Sequence, residues 1–287
     1  MERVILVLGG GGVKGLAHVG VWRALEEAGI RPTEIVGTSI GALVGACIAG
    51  GEGARTLTAR ALSLAKPDIV MLNRWALLFN GIRQPSVFRG DTFQEYVQFI
   101  LPVKEWARLA VPLGMNAVHL ETGRTEWFGA GGRLDVSLPD AIYASCALPV
   151  FYPPADLGGK LYVDGGVGDT LPVTRAAERG AELIIAVDVG AGPLKDSRDT
   201  VSRGLVAVHH RVFDIMAYAR KRAVLESWRG PELVYVRPAL DGWSTFDFTA
   251  TEYFLEEGYR ATRSALEASP ALESVAARIR APGQAAG

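Results

Sequence analysis

The sequence predicts an α/β fold with parallel strands, on three observations. The chain opens with an apolar run, a glycine-rich loop, a helix-length segment and a second apolar run, an order β-α-β-α that implies parallel strands joined by a right-handed crossover. A later run, Leu183–Val189, is apolar almost throughout and reads as a strand buried on both faces. Between them, Gly37-Thr38-Ser39-Ile40-Gly41 ends the second apolar run. G-x-S-x-G fits a sharp strand-to-helix turn, because its glycines leave room for a strained backbone that exposes the hydroxyl.

The elements follow in order. Arg3–Leu8 is a strand, and Gly15–Ala28 an amphipathic helix stopped by Gly29. Glu34–Gly37 is the second strand and Ile40–Gly50 the second helix, so Ser39 lies at a strand's carboxyl end, where open α/β sheets bind ligands. Residues 52–66 read as helix. Residues 68–90 are irregular, with Trp75, Leu77, Leu78, Phe79, Ile82, Val87 and Phe88 set among Asn, Gly, Pro and Arg. They form part of the core, a cover over a pocket, or an exposed apolar contact surface. Thr92–Leu101 is helix, Val111–Ala117 and Arg124–Phe128 are strands, and Leu138–Cys146 is a helix running into Leu148-Pro149. Lys160–Val163 is a strand ending at Asp164-Gly165-Gly166, and Val173–Arg179 is a helix stopped by Gly180. Val201–Trp228 is a long helix, Glu232–Arg237 a strand and Thr251–Ala268 a final helix.

With 287 residues, no internal repeat and no linker, residues 1–280 read as one domain and 281–287 as a frayed tail. Net charge is −1 and no Lys/Arg block is present, so nothing points to nucleic acid. The two cysteines, Cys47 and Cys146, lie in apolar surroundings and read as buried thiols. The apolar start is too short for a signal-peptide core. The uncharged stretch Ile35–Gly51 falls short of a membrane span and is rich in Gly and Ala, so a buried strand and helix explain it better. The expectation is a soluble, cytoplasmic protein; its oligomeric state stays open.

Serine is a poor nucleophile at its free pKa and needs an adjacent base, and a tetrahedral intermediate needs donors for its oxyanion. The amides of Gly10, Gly11 and Gly12 are the obvious donors. Gly10-x-Gly12-x-x-Gly15 also satisfies a dinucleotide fingerprint, but the second strand ends in Gly37-Thr38-Ser39 rather than the acidic residue a ribose requires. A Walker A loop fails because Lys14 is followed by Gly15. His18 reads as a packed, helix-orienting residue. His209 and His210 are adjacent on a helix, so at most one faces a site. Asp164 ends an apolar strand and is followed by two glycines. It is the better base candidate, although an ordinary turn would use the same residues.

Together these residues resemble the patatin-like phospholipase family. Leu8-Gly9-Gly10-Gly11-Gly12-Val13-Lys14-Gly15 and the helix after it look like the family's oxyanion block. Gly37-Thr38-Ser39-Ile40-Gly41 is similar to its nucleophile elbow. Ala144-Ser145-Cys146-Ala147-Leu148-Pro149 resembles its A-S-x-x-x-P segment, and Val163-Asp164-Gly165-Gly166-Val167 its D-G-G block. The resemblance implies a single-domain three-layer α/β/α sandwich with a mainly parallel central sheet. It also implies a Ser–Asp dyad without catalytic histidine, and hydrolysis of lipid acyl esters. Carried over, Ser39 is the nucleophile, Asp164 the base and Gly10 to Gly12 the oxyanion loop. Lys14, Gly15, Gly37, Gly41, Gly165 and Gly166 support them. Asp169 stands where many members carry Asn, and Lys14 replaces the commoner Arg. The leading expectation is a serine acyl hydrolase with a lipid or other acyl-ester substrate, transient contact with a membrane surface, and no metal or cofactor. The alternatives are an α/β-hydrolase with Ser39, Asp164 and His209 or His210, or a nucleotide-binding module built on Gly10 to Gly15.

Overall fold

Two parallel neighbours, β1 (Val4–Leu8) and β7 (Leu183–Val187), form the centre of the sheet, and every residue in both is buried. Val4, Leu6, Leu8, Leu183, Ile185 and Val187 join one core, while Ile5, Val7, Ile184 and Ala186 join a second. Successive strand side chains point to opposite faces, so an uninterrupted apolar strand needs cover on both. That alternation makes the molecule three-layered. The computed structural model describes residues 3–74, 78, 83–190, 192 and 198–270.

Outward from the centre, β2 (Glu34–Gly37) pairs parallel with β1, β3 (Leu113–His119) with β2, and β8 (Glu232–Val236) with β7. Beyond β3 the direction reverses. β4 (Thr125–Gly129) and β6 (Leu161–Asp164) run antiparallel to β3, and β5 (Ala155–Asp156) antiparallel to β6. The sheet is thus mixed, parallel through its middle and antiparallel at one flank.

The larger core is built from α1 (Ala17–Glu27), α2 (Ile40–Ala49), α3 (Ala54–Ser63), the short α4 (Lys66–Ile69), α5 (Gly90–Ile100) and α6 (Leu138–Cys146). The opposite face is covered by α7 (Val173–Glu178). After α8 (Arg198–Ser202), α9 (Leu205–Glu226) packs Val224 and Leu225 on that same face. The final helix, α10 (Thr251–Ala268), returns Phe254 and Leu255 to the larger core.

The differences from the sequence-based expectation have local causes. The first helix is preceded by a 3-10 turn, Gly12–Leu16, because the glycine loop folds tightly before α1 begins. The long helix expected from Val201 is interrupted at Gly204, whose φ of 85° lies in the left-handed region. Strand β7 stops at Val187 because Asp188 turns into a buried polar cluster. The run Ile35–Gly51 is β2 plus α2, with Gly41 to Ala49 buried, and no helix among the described residues is long and apolar enough to cross a membrane. Within 68–90, Phe88 is core, its ring 5.3–5.6 Å from those of Phe151, Tyr152 and Phe246, whereas Leu78 is exposed. Trp75, Leu77, Phe79 and Ile82 lie outside the described residues, as do residues 281–287.

Helices α1 and α10 meet backbone to backbone. A Cβ at Gly20 would lie 1.8 Å from the Leu255 carbonyl oxygen, and one at Gly258 would lie 2.0 Å from that of Ala17. Both rows of atoms are main chain and cannot rotate away. Gly258→Ala is therefore expected to cost about 2 kcal/mol by overpacking, lowering the melting temperature by about 5 °C. Thermal unfolding followed by circular dichroism checks this, and an unchanged midpoint would rule out the close crossing.

Candidate active site

Strand β3 acts as a ruler for the site. One of its edges is taken by β4 from Gly114 to Val118, so β2 and β6 share the other. On that edge Gly37 stands opposite Met115 and Asp164 opposite Ala117. Two strands therefore approach head to head, and the turns leaving them carry Ser39 and Asp164 into contact. Asn116 occupies the intervening position and is fully buried. Its amide donates to the carbonyls of Gly165 (3.0 Å) and Asp169 (3.1 Å), and its Oδ1 accepts from the Thr38 hydroxyl at 2.9 Å. One side chain thus ties the turn that carries Ser39 to the turn that carries Asp164.

Ser39 has φ 55° and ψ −126°, a strained conformation for a residue with a side chain, and α2 begins at the next residue. The flanking glycines are steric necessities. A Cβ at Gly37 would meet the Ala42 backbone at 2.6 Å, and one at Gly41 the Leu8 carbonyl oxygen at 2.1 Å. Gly15 is likewise pressed on Ile40, with 2.2 Å available to a Cβ. The Ser39 N–H donates to the buried Ser145 Oγ on α6 at 2.9 Å, which gives the A-S-x-x-x-P segment its structural role here.

The Ser39 hydroxyl donates directly to Asp164 Oδ2 at 2.6 Å. Asp164 Oδ1 accepts the Gly166 N–H at 2.7 Å. Burial dominates this carboxyl and pushes its pKa up to about 7, against the two hydrogen bonds, which favour the charged form. Gly165 has no room for a side chain, since a Cβ would sit 2.3 Å from Asn116 Oδ1.

The glycine loop needs one correction. The Gly10 N–H already donates to the Thr170 carbonyl at 2.9 Å, so Gly10 is not a free oxyanion donor. Its contribution is space, because a Cβ there would stand 3.3 Å from Ser39 Cβ. Among the described residues the N–H groups of Gly11 and Gly12 have no acceptor. Two buried groups hold this loop from behind. His18 is neutral, its pKa lowered to about 4 by burial, and its Nε2–H donates to the Gly9 carbonyl at 2.8 Å. Asp188 accepts from Lys221 (2.6 Å), the Tyr235 hydroxyl, Arg237 and the Gly190 N–H (3.0 Å). Burial works to raise its pKa, but Lys221 and Arg237 outweigh burial and hold it low. The cluster fixes Val189, whose carbonyl oxygen would be 2.4 Å from a Cβ on Gly11.

Ser39 and Asp164 open into a cavity of about 960 Å³, counting its mouth. Its apolar walls include Leu16, Ile69, Phe93, Leu148, Phe213 and Phe246. Lys14 lines it too, buried, with its pKa lowered chiefly by that burial while Asp214, Asp241 and Asp188 pull it up. Of the two adjacent histidines only His210 reaches the cavity; His209 is exposed. His210 Nε2 is 2.6 Å from Thr245 Oγ1, and no imidazole stands between Ser39 and Asp164. Among the described residues no cluster of side chains suits a metal ion.

The family model described as Patatin-like phospholipase matches residues 6–177, which hold the glycine loop, Ser39 and Asp164. This chain belongs to the patatin-like phospholipase family. An uncharacterized NTE family protein of Mycobacterium tuberculosis is 32% identical over 228 residues, 75% of this chain and 59% of its own length. Lysophospholipase NTE1 of Debaryomyces hansenii is 32% identical over 271 residues, 86% of this chain but 17% of its own. The chain thus spans less than two thirds of these relatives. VipD from Legionella pneumophila shares the fold with a TM-score of 0.55 at 15% identity, over 93% of this chain and 67% of that one. Human GIVD cytosolic phospholipase A2 gives 0.50 at 10% identity, over 97% and 62%.

The raised pKa of Asp164 has a consequence for stability. Between about pH 4 and 7 the folded protein keeps a proton that the unfolded chain has released, so this group costs stability as pH rises through that window. Asp164→Asn carries no such proton. The variant is expected to gain on the wild type between pH 4 and 8, by up to about 4 kcal/mol. Urea unfolding at both pH values measures it, and parallel stabilities would exclude a desolvated carboxyl.

Proposed function

We propose that this protein is a serine acyl hydrolase of lipid esters that works through a Ser39–Asp164 dyad. The observation that carries the reading is the direct 2.6 Å hydrogen bond from Ser39 Oγ to a buried carboxylate, opening on an apolar cavity. Membership of the family and the lysophospholipase named among the relatives support the substrate class. A carboxylate whose pKa sits near working pH is well matched to general-base duty.

The reaction runs in two displacements. Asp164 takes the Ser39 proton as Oγ attacks the acyl carbonyl carbon. The N–H groups of Gly11 and Gly12 receive the oxyanion, and the developing alkoxide also lies at the α2 N-terminus, where the helix dipole favours negative charge. As the tetrahedral species collapses, the proton on Asp164 passes to the leaving alcohol, and the acyl group stays on Ser39. Water then attacks the acyl carbon, giving its proton to Asp164. Collapse returns that proton to Ser39 and frees the fatty acid. The α/β-hydrolase alternative would need an imidazole between serine and aspartate, and the direct Ser39–Asp164 contact favours the dyad over it.

Ser39→Ala is expected to abolish both fluorophosphonate labelling and hydrolysis of p-nitrophenyl esters and lysophospholipids. Full activity in a folded Ser39→Ala protein would sink the reading. Asp164→Asn should lose at least ~10² in kcat. His209→Ala/His210→Ala should lose less than roughly tenfold, since neither imidazole carries the proton. A larger loss from the histidine pair than from the aspartate would overturn the dyad. The kcat/KM of the wild type should rise with pH through a limb near 7 as Asp164 ionises.

A further inference from the structure

Helix α9 is the least buried long element of the fold. Of its 22 residues only Lys221 is buried. One face, carrying His210, Phe213, Asp214, Ala217 and Lys221, lines the cavity. The other side exposes Leu205, Val208, Val212, Ile215 and Met216, each 38–78% accessible. Their spacing places them in one stripe, about half a turn from the cavity-lining face. Val201 on α8 is also exposed, 69% accessible, a little upstream of the stripe.

The borders of the stripe are basic. At 3.6 residues per turn, Arg211 and Arg222 fall along one side and Arg220 along the other. Arg211 and Arg220 hydrogen-bond backbone carbonyls, of Gly192 and of Val167 and Gly168, which leaves their charge in place. Arg222 pairs with Glu226, which closes the stripe at its C-terminal end. The helix's other carboxylate, Asp214, is on the cavity side. A second cavity wall repeats the pattern: Leu64 and Ile69 face the cavity, while nearby Met71 and Leu72 are exposed.

An apolar stripe edged by cations fits the interface of an anionic lipid layer, with the aliphatic groups entering the acyl boundary and the guanidinium groups meeting headgroup phosphates. It fits a second copy of the chain poorly. A two-fold contact would lay the stripe on itself and bring cationic borders together. We propose that the outer face of α9 is a docking surface for anionic lipid bilayers, seating the cavity-lining helix on the membrane that supplies the ester. The inference rests on the acyl-hydrolase reading for its purpose, but binding can be measured without turnover.

The test uses Ser39→Ala protein and vesicles of phosphatidylcholine, alone or mixed with phosphatidylglycerol. Sedimentation should show preferential binding to the mixed vesicles, weakening as salt is raised. Adding Val212→Ser, Ile215→Ser and Met216→Ser should reduce partitioning by at least roughly tenfold. In the active protein the same three changes should spare hydrolysis of a dissolved short-chain ester and depress that of vesicle-borne lysophospholipid. As a check independent of those substitutions, Val212→Cys can be labelled selectively, because Cys47 and Cys146 are buried. A polarity-sensitive fluorophore there should shift to the blue on mixed vesicles. Equal vesicle binding by the triple variant, or no spectral shift, would overturn the proposal. So would a dimer that the triple variant dissociates while neither form binds vesicles. If the wild type docks but hydrolyses no ester, the docking surface stands and the hydrolase reading falls.

Discussion

Everything chemical in this protein depends on two strands ending on the same edge of a third. Because β2 and β6 meet head to head along β3, a serine and an aspartate far apart in sequence leave their strands within one hydrogen bond of each other. The geometry is set by backbone pairing, which is far stiffer than any side-chain arrangement. Asn116 fills the position where neither strand reaches and satisfies groups from both turns. A buried amide is tolerable there only because both of its ends are bonded.

Around that junction the sequence accepts local costs. Ser39 sits in a backbone conformation that side chains avoid, and Asp164 is sunk where its charge is poorly solvated. Packing holds both in place. Gly37 and Gly41 let the β2–α2 corner close, Ser145 takes up the Ser39 amide, and Gly10 stands aside for the serine. Behind the loop, His18 and the Asp188 cluster fix main-chain groups. The cluster is ionic and buried, so it holds position through complete pairing: each cation and hydroxyl it contains meets the same carboxylate.

Much of this was legible in the residues. The opening β-α-β-α order, the apolar central strand, and helices α6 and α10 followed from periodicity and punctuation, because glycine and proline mark the ends of elements. Ser39 and Asp164 were legible as candidates because short motifs mark turns, and the resemblance joined them. Asn116 was not. It lies within a strand that is otherwise largely apolar, and its importance comes from register, which only long-range pairing sets. The same holds for Gly10: the sequence marks a donor-rich loop but not that Thr170 already occupies its amide. Asp188 was hidden inside an apolar run. A carboxylate closing a buried strand is itself a signal of a charged partner, and its partners, Lys221, Tyr235 and Arg237, all come from later elements.

The crossing of α1 and α10 sets an order of events during synthesis. Gly20 and Gly258 are at opposite ends of the described chain, yet each lies against the other helix's backbone. The helix that follows the glycine loop therefore lacks this packing until a partner made much later in synthesis is present. Until then one side of α1 is bare, and the loop it anchors lacks its final support. Such long-range closure slows folding and exposes apolar surface to aggregation. It also means that a nascent chain already carrying both Ser39 and Asp164 still lacks the packing that completes its site.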